Sequence, residues 1–415
     1  GGLSAGLLLG AVLGASARAD RVLYPTFTAL VQVPTLAWIP LFMLFFGIGE
    51  LLKWVVLVKA IVVPVTVHTR LGVRDVPQRL REAAATLRLP PAVRVWRLTL
   101  PAAAPAVVTG LRLALAQGWT ALLAVELLAS SEGIGYLLVS GRQLFMLDIV
   151  FVCIFAVGLT GAALDLGMRR LERRLVHWPQ PGTAAFAGAG PASGKWRDGS
   201  AWQSLSLPLA LLAVWQLAAT GRDHAQILVP PLAVLQTLSA GLLDGSLAGA
   251  LAVSLGRSLA GLAIGGGTGV LLGLALGLWP PAERALGPFL AAVRQVAIFA
   301  WVPLLTAWLG LGEPAKVAFV ALAAFFPLLL ATHSGVAGVS PQLTEAAAAL
   351  RLSLPQRLRL LVLPGAAPAI FAGLRLGLIY AWLGTIGAEY FMPSGGGIGS
   401  ALIGAQQLFR MDLVI

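Results

Sequence analysis

The run REAAATLRLPPAVRVWRLTLP, from Arg81 to Pro101, returns as TEAAAALRLSLPQRLRLLVLP, from Thr344 to Pro364. Glu82, Ala83, Ala84 and Arg88 thereby have counterparts in Glu345, Ala346, Ala347 and Arg351, each 263 positions later. Alanine favours helix, proline interrupts it, and a Leu-Pro closes each run before an apolar stretch. The pattern predicts a short helical elbow outside the membrane. Its small residues would let the groove of another protein approach the helix backbone, and its glutamate would orient that contact. An unrepeated loop of this kind would read as an ordinary solvated connector, and the recurrence argues against that reading.

A second set of candidates consists of ionisable residues within apolar runs, where a charge costs several kcal/mol unless it faces protein or water. Lys59 stands near the middle of such a run where the second copy has Leu322, and it would attract an anionic solute or be paired inside a bundle. Glu126 and Glu389 recur toward the ends of matching runs, with a structural role between the two halves or a place on a solute path as the two readings. Arg112 and Arg375 lie where their stems could snorkel to the interface. Pro40 and Pro303, beside Trp38 and Trp301, are expected to kink their helices, and broken helices in transporters tend to line the path.

Catalytic chemistry finds no support. His68, His177, His224 and His333 lack metal-ligand spacing, and no nucleophile motif stands on a strand-to-helix turn. The run Gly190 to Trp196 (GPASGKW) lacks the first glycine and the final Ser or Thr of a phosphate loop. Cys153 stands alone, so no intramolecular disulfide can form, and a buried thiol is expected.

The elements that must position these residues follow from composition. Of 415 residues, 58% are hydrophobic and 11% charged, with a mean hydropathy of +0.87, against about a quarter charged in soluble chains. That excludes a soluble fold and predicts a polytopic, all-α membrane protein. The net charge of +12 comes from arginines gathered between apolar runs, at Arg70 to Arg97 and at Arg169 to Arg174. These mark the cytoplasmic side rather than a nucleic-acid surface.

The duplication extends well beyond the elbow. Trp38-Ile-Pro-Leu41 returns as Trp301-Val-Pro-Leu304, Gly47-Ile-Gly-Glu50 as Gly310-Leu-Gly-Glu313, and Gly110-Leu-Arg112 as Gly373-Leu-Arg375. After a slip of one residue, Gly133-Ile-Gly135 matches Gly397-Ile-Gly399 and Asp148 matches Asp412. Apolar spans are expected at roughly 1–17, 26–47, 51–69, 103–130 and 145–168, then 203–220, 250–278, 289–309, 315–333, 366–392 and from 404. A complete copy would hold about six spans, and an even number makes the copies parallel rather than inverted. The expected organisation is a first repeat over 1–178, a Pro/Gly/Ala-rich cytoplasmic linker over 179–202 and a second repeat over 203–415. The first repeat would lack its first helix and the second would be cut in its last, as expected of a fragment at both ends. Gly-rich runs at Gly265 to Gly267 and Gly395 to Gly397 read as close helix contacts or turns.

At the repeated Glu-Ala-Ala and Leu-Pro segments the chain resembles the membrane subunits of binding-protein-dependent ABC importers. The Trp-x-Pro-Leu and Gly-x-Gly-Glu runs, and the sequence from Arg170 to Leu175 closing in Trp178, are similar to the nitrate, sulfonate, taurine and bicarbonate branch. The resemblance covers nearly the whole chain, twice. It implies a type I importer-like fold, a pseudo-twofold pair of fused permease units and a path for a small, often anionic solute. Each elbow would couple to one of two cytoplasmic ATPases, which bind ATP and Mg²⁺ while this chain binds no cofactor and no metal. An external or periplasmic binding protein would deliver solute to a multi-pass protein of the bacterial inner membrane. The family has glycine where this chain has Arg88 and Arg351, so the turn is expected to be made otherwise, with help from Pro90, Pro91 or Pro355. The alternative, a secondary transporter with parallel halves driven by an ion gradient, would need no ATPase. A passive channel gains nothing from the repeated elbow.

Overall fold

The computed structural model describes residues 1–33, 35–175, 201–219, 229–408 and 410–414. His177, Trp178, the expected linker from Pro179 to Ser200 with its Gly190–Trp196 run, and His224 lie outside them. Every regular element among the described residues is helical. They divide into two compact units, one built from Gly1–Tyr136, Leu159–Thr237 and Arg410–Ile415, the other from Leu137–Gly158 and Leu238–Phe409. The expected boundary between repeats and the division into compact units are therefore different cuts of the chain.

In the first unit α1 (Gly2–Ala15) and α2 (Ala17–Gln32) lead through a 3-10 turn at Thr35–Trp38 to α3 (Ile39–Phe46) and the long α4 (Glu50–Arg74). The elbow α5 (Gln78–Thr86) follows, then α6 (Leu100–Ala129), α7 (Ile134–Gln143) and α8 (Leu147–Leu175), through which the division between units runs. Helix α9 (Ala201–Ala219) belongs to the first unit and packs on α2, and the division between units falls again within α10 (Pro231–Leu243). The second unit carries α11 (Ser246–Gly261), a π-turn at Leu262–Gly266, α12 (Gly267–Leu278), α13 (Pro280–Gln295), α14 (Trp301–Leu309) and α15 (Glu313–Ala337). Its own elbow α16 (Pro341–Ala349), then α17 (Leu363–Phe391) and α18 (Ile398–Gln407), follow. Six of the described helices are long and apolar enough to cross a bilayer, or seven if the bent pair α13 and α14 counts as one span.

Helix packing repeats with the sequence. Gly2, Gly6, Gly10 and Gly14 sit four apart on α1 against α4, and Gly265, Gly269, Gly273 and Gly277 do the same against α15. A Cβ on Gly10 would stand 2.6 Å from Thr69 Cβ and 2.7 Å from the Thr66 carbonyl, and one on Gly265 would overlap the Ala321 backbone. Only glycine allows that approach. Lipid tails are as apolar as leucine, so such close packing, rather than escape from water, holds these helices together. Around it lie cores of Ile39, Leu52, Val56, Val125 and Ala129 in one unit, and of Val336, Val362 and Ala366 in the other. Cys153 is buried as expected.

Candidate functional site: the elbows, the broken helices and an outer charge cluster

Each elbow is a helix ended by a left-handed residue. In the first, Arg88 has φ 46°, the Leu89 N–H donates to the Ala84 carbonyl (3.1 Å) and the Arg88 N–H to that of Ala85 (3.0 Å). In the second, Arg351 has φ 49° and the Leu352 N–H donates to the Ala347 carbonyl (3.1 Å). This is the Schellman arrangement, in which glycine normally occupies the left-handed position. The turn is thus made at the arginines themselves and not, as expected from the sequence, by the neighbouring prolines. Both guanidinium groups are exposed. A π-turn, at Val95–Thr99 and again at Leu358–Val362, then returns the chain to its span.

Of the four elbow alanines, Ala83 and Ala346 are open, whereas Ala84 and Ala347 are buried in their own units. The proposed approach of a groove to the backbone is therefore confined to the face of Ala83 and Ala346. Glu82 and Glu345 are exposed, and Glu82 accepts a bond from Gln78 Nε2 (2.7 Å). Leu87 and Leu350 are 70% and 72% exposed beside them, with Leu80 and Leu343 exposed at the other matched positions. Two pairs of exposed leucines on a charged elbow form an apolar face available to a protein partner.

The prolines do not act as mid-helix kinks. The breaks lie before them, at Val33–Trp38 and at Val296–Ala300, with an 88° bend in the second unit. Pro40 and Pro303 are buried in the first turns of α3 and α14, where a missing N–H is harmless. Trp38 and Trp301, half-buried, stand at the starts of those helices. Lys59, half-buried on α4, donates from Nζ to Thr35 Oγ1 (3.4 Å) and lies 5.4 Å from the centre of the Trp38 ring.

Glu389 is fully buried. It accepts from Arg257 Nη1 (2.6 Å), from Ser254 Oγ (2.8 Å) and from the Gly399 N–H (2.8 Å) at the start of α18. Arg257, itself 5% exposed, also pairs with Glu313 and donates to the Gly396 carbonyl (2.5 Å). Lys316, fully buried, donates to the Ser394 carbonyl. Glu389 is enclosed by these partners, all of them in the same unit. Glu126, half-buried, accepts the Gly135 N–H (2.9 Å) at the start of α7. The same carboxylate thus caps the same helix in both copies, and a Cβ on Gly133 or Gly397 would collide with it, which accounts for the repeated Gly-Ile-Gly. Arg112 is paired with Asp165 (2.8 Å) rather than snorkelling free, while Arg375 is exposed.

Sequence reasoning passed over Ser254, Arg257 and Lys316. Lys316 had a signal, since Lys53 stands three residues after Glu50 as Lys316 does after Glu313. Arg257 had none in the repeat, because its matching position falls before residue 1.

Spans tied by glycine stripes, helices broken at matching places in both copies and a duplicated elbow together define a multi-pass membrane protein of tandem design. The chain belongs to the family described as binding-protein-dependent transport system inner membrane component, whose family model matches residues 2–177 and again residues 267–415. It is 35% identical over 213 residues to the putative aliphatic sulfonates transport permease protein SsuC of Bacillus subtilis, covering 51% of this chain and 77% of the relative. Similarity to the taurine transport system permease protein TauC of Escherichia coli is 36% over 173 residues, covering 42% of this chain and 63% of the relative. The nitrate import permease protein NrtB of a Synechocystis strain is 29% identical over 171 residues, or 41% and 62% of the two chains.

Proposed function

We propose that this chain supplies both permease units of an ATP-driven importer of a small anionic solute. The observation that carries the reading is the pair of elbows, alike in their glutamate, their left-handed arginine and their exposed leucines. Each elbow seats in one of two cytoplasmic ATPases, which hold the ATP and Mg²⁺, so that closure of the ATPases moves the spans. An external binding protein delivers the solute to the outer face, in the cytoplasmic membrane of a bacterium. The names of the relatives, for sulfonates, taurine and nitrate, support an anionic solute.

The test reverses both elbow charges at once. Glu82→Arg with Glu345→Arg should abolish co-purification of the ATPase while membrane insertion persists, and native mass of the parent assembly should give one copy of this chain with two ATPases. Capture of the ATPase at the parent level by the double variant would remove the elbows from that interface.

A further inference from the structure

Lys59 lies nine residues into α4, about 14 Å from the Glu50 end at 1.5 Å per residue, and so deep within a hydrocarbon layer about 30 Å thick. A cation at that depth is retained only with compensation. Among the described residues no carboxylate comes within ion-pairing distance of it. What surrounds it is a hydroxyl and an aromatic ring. Thr35 accepts from the ammonium, which leaves its own O–H free to donate. The Trp38 ring, 5.4 Å from Nζ, stabilises the cation through its face without neutralising it. The Trp38 Nε1–H is buried and has no hydrogen-bond partner among the described residues.

Beyond the Lys59–Thr35 bond the cluster offers donors, and it presents positive charge with no anionic partner among the described residues. A buried donor left without a partner costs about 1–3 kcal/mol, and a visiting group with lone pairs would remove that cost here beside a positive charge. The second unit argues the same point by contrast. Lys59 is matched there by Leu322 and Thr35 by Ile298, so the two polar residues that touch in one copy are both aliphatic in the other.

We propose that Thr35, Trp38 and Lys59 form an anion-coordinating site at the broken helix of the first unit, taking a small oxoanion such as a sulfonate, nitrate or bicarbonate. The proposal rests on the import reading for its place on a solute route, and it deepens that reading by assigning the solute contact to one unit. Lys59 supplies the charge, and the threonine hydroxyl and the indole N–H bind the oxoanion's other oxygens.

The experiment uses the purified full chain in detergent, with nitrate or methanesulfonate replacing gluconate at constant ionic strength. Either anion should raise the melting temperature of the parent by a few degrees, since a ligand that binds only the folded state stabilises it. Lys59→Arg should keep the shift, Thr35→Val should reduce it, and Lys59→Leu, the side chain that the second unit holds at this position, should lose it. No shift with either anion in the parent, or an equal shift in Lys59→Leu, overturns the site. Lower melting of Lys59→Leu without added anion, its anion shift intact, also overturns it and makes the lysine a structural group. ATPase capture, scored in parallel, separates the two readings: loss of capture by the parent with the shift intact sinks the importer and leaves the anion site standing.

Discussion

The two units are alike at their elbows and unlike along the spans. Both elbows hold an arginine in the left-handed region and expose leucines at matched positions. Beneath the helix breaks, the first unit sets a lysine against a threonine and a tryptophan, whereas the second buries Phe299 against Phe319 and Phe391, with ring centres 5.7 Å and 5.1 Å apart. On the importer reading proposed above, an interface to two like partners would have to be kept twice, whereas a single solute would need a charged contact only once, leaving the other copy free to become an aromatic core. Duplication of one unit accounts for the first feature and divergence after it for the second.

The sharpest way to test that asymmetry is at the helix-capping carboxylates. Arg257→Met strands Glu389 without its cation in a fully buried place, which costs about 3–5 kcal/mol, whereas Glu126→Gln at the half-buried counterpart weakens one helix cap and costs about 1 kcal/mol. Detergent-denaturant unfolding followed by circular dichroism reads both. Pairing Arg257→Met with Glu389→Met should recover most of the loss, because two apolar residues leave no buried charge behind. Equal losses from the two single variants would show that the second unit does not depend on this cluster.

The likeness of the elbows is tested by glycine. An L-residue in the left-handed region costs about 1–2 kcal/mol, so Arg88→Gly and Arg351→Gly should each stabilise its own elbow by about 1 kcal/mol, as seen in slower amide exchange at α5 and α16. The gain should be the same in both. If the strained arginines are held for contact with an acidic surface of the ATPase, the double variant should also bind the ATPase more weakly, while unchanged binding would make their position a matter of folding alone.

The 263-residue offset made the tandem design, the six long spans and the elbows legible, because a repeat compares the chain with itself, whereas the runs expected at 1–17, 26–47, 203–220 and from 404 are not among the described helices long and apolar enough to cross. The breaks were read at the wrong place. Proline signals both a kink and a helix start, and at Pro40 and Pro303 the preceding turn, not the ring, makes the bend. Arg88 hid its own role, since nothing in an arginine announces a positive φ. Ala84 and Ala347 look in the sequence like Ala83 and Ala346, and only the way each elbow packs tells the buried pair from the open one. The cluster around Glu389 depends on Arg257, 132 residues away on another helix, a contact made by tertiary folding with no local pattern to show it.

At matching positions near the ends of the spans the copies set a carboxylate against a basic residue, an arginine in one and a histidine in the other. Asp20 binds Arg70, with Oδ2 2.8 Å from Nη2, and at the matching positions Glu283 Oε1 lies 3.2 Å from His333 Nε2. Partial burial pushes the Asp20 carboxyl upward, but the bonds and charges of Arg70 and Arg74 outweigh it and hold the group below its ordinary 3.8. A depressed carboxylate stabilises the fold at every pH above its unfolded value, and that contribution is lost only as pH falls through the lower folded value. The first pair therefore stays constant across neutrality. Both side chains of the second pair are partly exposed, so that pair contributes at most about 1 kcal/mol, whereas the Arg70 and Asp20 side chains are 11% and 12% exposed and hold each other more firmly. Arg70→Met should therefore quicken amide exchange at α2 more than His333→Met quickens it at α13. Equal changes in the two variants would show that the two pairs fasten their helices alike.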